Sequence, residues 1–104
     1  MEPECKDITR VVLPAVRASV AEALRKRYKN RQEEIAQKIG VVQVAVSKYL
    51  HGKHSGEITK MKDYITEHRL NEPILDKISN GRPKQEIEKA IEDLCERLIA
   101  ANVA

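Results

Sequence analysis

The stretch "RQEEIAQKIGVVQVAVSKYLHGK", residues 31–53, decides how this chain folds. Four valines between positions 41 and 46 would suit a buried strand, yet Gln43, Ser47, Lys48, His51 and Lys53 are spaced among and after them. Helical spacing resolves the conflict. Ile35, Ala36 and Ile39 share one side of a short helix over 31–39, and Gly40 stands where a left-handed residue would close it. Asn30 offers a side-chain oxygen as its cap, with Glu33 three residues on. In a second helical segment, 43–51, Val46, Tyr49 and Leu50 are three and four apart. The valines then divide: Val41 and Val46 turn inward, while Val42 and Val44 point elsewhere.

Outward from this stretch the helical pattern continues in both directions. Residues 13–29 carry Leu13, Val16, Val20 and Leu24 at helical spacing, among alanines that favour helix. Pro14 suits a first turn, where its missing N–H would be unpaired anyway, so the main helix is expected to start near Leu13, with residues 1–12 extended or loosely helical. "GKHSG", residues 52–56, reads as a loop. Residues 57–70 place Ile58, Met61 and Ile65 in helical register. Residues 72–79 form a short helix with Pro73 in its first turn. From Pro83 to about Asn102 runs the longest helix, with Ile87, Ala90, Ile91, Leu94, Leu98 and Ile99 in one stripe.

Composition agrees with an all-α fold in a single domain spanning 1–104. The 104 residues suffice for one modest core. Aromatics are confined to Tyr28, Tyr49 and Tyr64, whereas β-sandwiches lean on aromatic and β-branched residues. At 34% charged and 41% hydrophobic the chain reads as soluble and globular. No apolar run approaches the roughly 20 residues of a membrane span. The acidic start "MEPECKD" lacks the apolar core of a signal peptide, so the expected location is the cytoplasm, without membrane contact.

Charge is unevenly distributed. Residues 1–56 hold 11 Lys/Arg against 6 Asp/Glu, or +5; residues 57–104 hold 8 against 10, or −2. A basic first half suggests an end that faces a polyanion, and the alternative is an ordinary solvated surface. The run Arg25, Lys26, Arg27, Lys29 and Arg31 admits two readings as well. It complements the negative end of a helix dipole, or it belongs to a nucleic-acid-binding surface.

"QEEIAQKIGVVQVAVSKYL", residues 32–50, resembles the helix-turn-helix of lambda-repressor-like (Cro/repressor-type) transcriptional regulators. A small residue (Ala36), a turn glycine (Gly40) and five apolar positions (Ile35, Ile39, Val41, Val46 and Tyr49) agree together. The outline extends over residues 13–53. "LPAVRASVAEAL", residues 13–24, ahead of the motif and "SKYLHGK", residues 47–53, at its end are similar to small archaeal members of the family. The resemblance implies a lambda-repressor-like bundle with additional C-terminal helices, and helix 43–51 lying in the major groove of double-stranded DNA. Gln43 falls at the position whose amide pairs with adenine, and Gln32 where a glutamine holds a phosphate and braces the reader. Val44 and Lys48 take the other groove-facing positions, with Ser47 and His51 beside them. Val42 stands where Ser or Thr commonly caps the helix. Val44, bulkier than usual, either touches a thymine methyl or is buried. Lys48 and Lys53 sit near phosphates or are simply solvated lysines.

Three functions compete on these grounds: a sequence-specific DNA-binding regulator, a non-specific architectural DNA binder, and a protein-interaction module on the same fold. No exposed aromatic platform favours single-stranded RNA. His51 and His54 lack a third ligand for zinc, and no nucleotide loop or catalytic grouping stands out. No cofactor or small-molecule effector is identifiable. The apolar stripe of the last helix needs a partner face, which is either a second subunit in a homodimer or the chain's own core. Cys5 and Cys95 are two free thiols, or, as the archaeal resemblance allows, a bridge closing nearly the whole chain.

Overall fold

The computed structural model of the chain describes residues 3–51 and 54–101, with the backbone alone for residues 3–9. The described residues form six helices and no strand: α1 (Pro3–Tyr28), α2 (Gln32–Ile39), α3 (Gln43–Leu50), α4 (Gly56–Glu67), α5 (Glu72–Ser79) and α6 (Lys84–Ala100). The all-α class and the register of the five later helices follow the sequence reading. None of the six is long and apolar enough to cross a membrane.

α1 is the axis of the fold. The other five helices all pack on it, so it is buried around much of its circumference rather than along one stripe. Val12, Val16, Val20 and Leu24 are at most 1% exposed. Ala15, Ala18, Ser19 and Ala21 are buried between them. The small residues do more than raise helix propensity, because they let neighbouring helices approach the axis closely. Ser19 satisfies its buried hydroxyl by donating to the Val16 carbonyl at 2.8 Å. Asn71, buried at the start of α5, donates its amide to the Ser19 carbonyl at 3.3 Å.

The start of α1 departs from expectation. Instead of beginning near Leu13 the helix runs unbroken from Pro3, with Pro14 inside it. Proline costs one ladder bond, to the carbonyl four residues back. That residue is Arg10, which is exposed, so water can serve the freed carbonyl. Val12, Ala15 and Val16 are wholly buried on both sides of the proline, and this packing holds the helix through it.

The start of α2 also shifts by one residue. Lys29 takes a left-handed conformation (φ 58°), and the Asn30 N–H bonds back to the Leu24 carbonyl at 3.2 Å. Asn30 is thus consumed in the exit from α1. Arg31 becomes the residue flanking α2, and Glu34 rather than Glu33 accepts its backbone N–H at 2.7 Å. At the other end Gly40 is left-handed (φ 73°, ψ 36°). The N–H groups of Gly40 and Val41 both return to the Ala36 carbonyl, at 2.9 and 3.0 Å.

α4 is capped by Ser55, whose hydroxyl accepts the Ile58 N–H at 3.3 Å. Met61 and Ile65 are buried against α1, with Ile58 half-buried. α5 carries Pro73 in its first turn and buries Ile74, Leu75 and Ile78. α6 packs on α1, α2 and α5, and Ile87, Ile91, Leu94, Cys95 and Leu98 are buried there. The stripe that asked for a partner has one inside the same chain. Two ion pairs tie the periphery to the axis: Lys62 of α4 to Glu22, and Arg27 to Glu72 of α5, each at 2.6 Å.

Candidate nucleic-acid interface

α3 is held by its inner side alone. Val46 is completely buried, and Tyr49 and Leu50 pack half-buried against the core. Three residues, Gly40 to Val42, join it to α2. Gly40 reverses the chain and Val42, extended (φ −79°, ψ 156°), flanks the helix start. No side chain caps α3, which is what valine at this place leads one to expect, since it has no acceptor.

The outer side carries the residues singled out by sequence. Val42 and Val44 are 69% and 66% exposed, and Gln43 between them is exposed as well. Helical periodicity sets Val44, Ser47, Lys48 and His51 along one stripe, with Lys48 and His51 exposed and Ser47 half-buried. The burial alternative for Val44 is therefore excluded. Ser47 Oγ and His51 Nδ1 lie 3.3 Å apart, one turn along the stripe. Lys53 lies outside the described residues.

Gln32 opens α2 and is half-buried. It lines a groove of about 310 Å3 together with Glu22, Arg25, Lys26, Leu50 and His51. Here the last turn of α1, the first turn of α2 and the end of α3 converge. The groove gathers two cations, an amide and an imidazole beside the first turn of α2, a combination suited to an anion, and Glu33 and Glu34 of that turn do not line it. Its one acid, Glu22, is engaged by Lys62 at 2.6 Å. The basic run of the sequence splits accordingly. Arg25 and Lys26 face the groove, whereas Arg27 is taken by Glu72, whose carboxyl the guanidinium holds below its ordinary range. Both long-range pairings join residues at least 40 positions apart, and no local pattern in the sequence signals them.

Among the described residues no three metal-ligating side chains come together. His54 Nε2 lies 3.1 Å from the Tyr49 carbonyl, a contact that anchors the turn after α3. Cys95 is a buried free thiol on α6, pushed up to about 11 by burial, so it is neutral and poorly nucleophilic at pH 7. The side chain of Cys5, the other half of the expected alternative bridge, lies outside the described ones.

Comparison with known proteins gives no family: no family model, no curated protein and no solved structure matches this chain.

Proposed function

We propose that residues 13–53 form a helix-turn-helix of the lambda-repressor-like kind and that the protein is a DNA-binding transcriptional regulator whose α3 reads the major groove. One observation carries the reading. A short helix is fixed by Val46, while the amide at its exposed first residue, Gln43, and the lysine on its outer face, Lys48, meet solvent beside an anion-suited groove. An amide at Gln43 can bond adenine N6 and N7 together, which is the chemistry of base readout. Arg25, Lys26 and Gln32 supply the complementary function, holding a phosphate and fixing the register of the helix without reading sequence. α3 itself contains no acidic residue to oppose a polyanion.

Selection of bound duplexes from a random pool tests this reading, followed by titration of Gln43→Ala. The selected pool converges on a short sequence. Gln43→Ala, a change at an exposed side chain, weakens binding to that duplex by about 1–3 kcal/mol and to scrambled duplexes little. An unselected pool, with equal affinity for all duplexes at moderate salt, would replace the regulator by a non-specific architectural binder. No binding to any duplex would leave a protein-interaction module. An inverted repeat in the pool would report a homodimer on DNA. Its half-sites should lie about 10–10.5 base pairs apart, or a multiple of that.

A further inference from the structure

Glu22, Arg25 and Lys26 stand three and four residues apart on α1, the spacing at which side chains on one helix meet. A glutamate followed at the fourth position by a lysine is the favoured order for a local ion pair. By helix geometry alone, the one acid lining the groove would pair with the cations beside it and cancel charge that an anion needs. In the structure Glu22 instead accepts a hydrogen bond from Lys62 of α4, 40 residues further along the chain, at 2.6 Å. Among the described residues neither Arg25 nor Lys26 is in an ion pair, and both are exposed. We propose that Lys62 is a positioning residue of the nucleic-acid interface: by taking Glu22 it leaves Arg25 and Lys26 free for a backbone phosphate. The proposal rests on the DNA-binding reading above and gives α4 a part in binding as well as in stability.

Burial favours the distant pairing over the local one. The side chains of Lys62 and Glu22 are 13% and 23% exposed, against 46% and 31% for Arg27 and Glu72. A sheltered pair is screened less by salt than a pair in solvent, so the carboxylate stays withdrawn at moderate ionic strength. Pairs between exposed neighbours on a helix are weak by comparison. Lys62 does not hold the phosphate itself, since it does not line the groove and most of its side chain is covered. Without Lys62, α1 still keeps Glu22 at the groove. Its carboxylate then turns to Arg25 or Lys26 and sets a like charge against the incoming phosphate.

Lys62→Met keeps a long apolar stem and removes the charge. Its affinity for the selected duplex and for scrambled duplexes should fall alike, on the order of ten-fold. The slope of log affinity against log salt should shrink by about one unit, because one groove cation is withdrawn. Adding Glu22→Gln to the same chain should restore both values. A merely structural tie between α1 and α4 predicts no such rescue, because the pair is still broken. Equal losses in the single and double variants, or native binding by Lys62→Met, would overturn the proposal. Glu22→Gln alone should change affinity by about two-fold at most, since Lys62 already holds that carboxylate. A ten-fold gain there would show that Glu22 opposes the phosphate even when paired, and would overturn the proposal whether or not Lys62→Met folds. All these contrary results leave the DNA reading standing. Failure of the native protein to bind any duplex would remove that reading, and this proposal with it.

Discussion

In α6 the side chains of Ile87, Ile91, Leu94 and Leu98 are 3–4% exposed, and the rest of the helix surface is mostly charged. In α3 a single side chain, Val46, is fully buried, while Val42 and Val44 stand in solvent. The two helices divide the work of a small domain. α6 places its large apolar side chains in the core and so stabilises the axis helix. α3 keeps only enough inside to be held in place. Its outer side carries no ion pair among the described residues and only the local Ser47–His51 contact. A surface kept apolar and amide-bearing without an internal partner is where an external one is to be sought.

The contrast can be broken most severely by removing the stabilising half. Truncation after Gly56 deletes nearly all of α4 and the whole of α5 and α6, and exposes α1 along most of its length. The fragment should show no cooperative thermal transition, because some 56 residues bury too little surface on their own. A sharp melting transition in the fragment would show that α1–α3 is self-sufficient and that α6 has another purpose.

Single core truncations sharpen the same comparison. Ile91→Ala in α6 should cost about 2–5 kcal/mol, and Val46→Ala in α3 about 2 kcal/mol, with two methyl groups lost instead of three carbons. Denaturant midpoints measure both. In each variant DNA affinity should follow the folded fraction and nothing else. A fully folded Val46→Ala that no longer binds would mean that its packing tunes the reading surface directly.

The smallest effect concerns the ion pair that withdraws Arg27 from the basic end. Arg27 hydrogen-bonds Glu72 and holds that carboxyl below its usual value of 4.5. A depressed carboxyl stabilises the fold above the ordinary glutamate range, and the contribution is lost as pH falls through it. Both side chains are partly solvated, so the effect at pH 7 should not exceed about 1 kcal/mol. Glu72→Gln should lower the urea midpoint slightly at pH 7 and not at all near pH 2. Equal losses at both values would assign the effect to packing instead.

Much of this architecture was legible beforehand because it is local. Helical spacing in 31–51 separates Val46 from Val42 and Val44, and Gly40 marks the turn through its backbone freedom. What escaped is what distance and context decide. Pro14 reads as a helix start because the sequence does not reveal that Val12 and Val16 are both buried on one continuous helix. Asn30 reads as a cap because Lys29, an unremarkable residue for a left-handed turn, claims it for the end of α1. The apolar stripe of α6 reads from sequence as a dimer face or a core face, since periodicity shows that a face is apolar and not what covers it. The groove of Arg25, Lys26, Gln32 and His51 joins three helices, and the sequence leaves its two cations open between complementing a helix dipole and lining a nucleic-acid surface.

Backbone amide shifts of the native protein during titration with the selected duplex compare α3 and α6 in one experiment. The largest perturbations should fall at Gln32 and across Val42 to His51, with smaller ones at Arg25 and Lys26, and essentially none along Lys84–Ala100. Dominant perturbation of α6, or an α3 that stays silent while DNA is bound, would contradict the assignment of α3 as the reading helix.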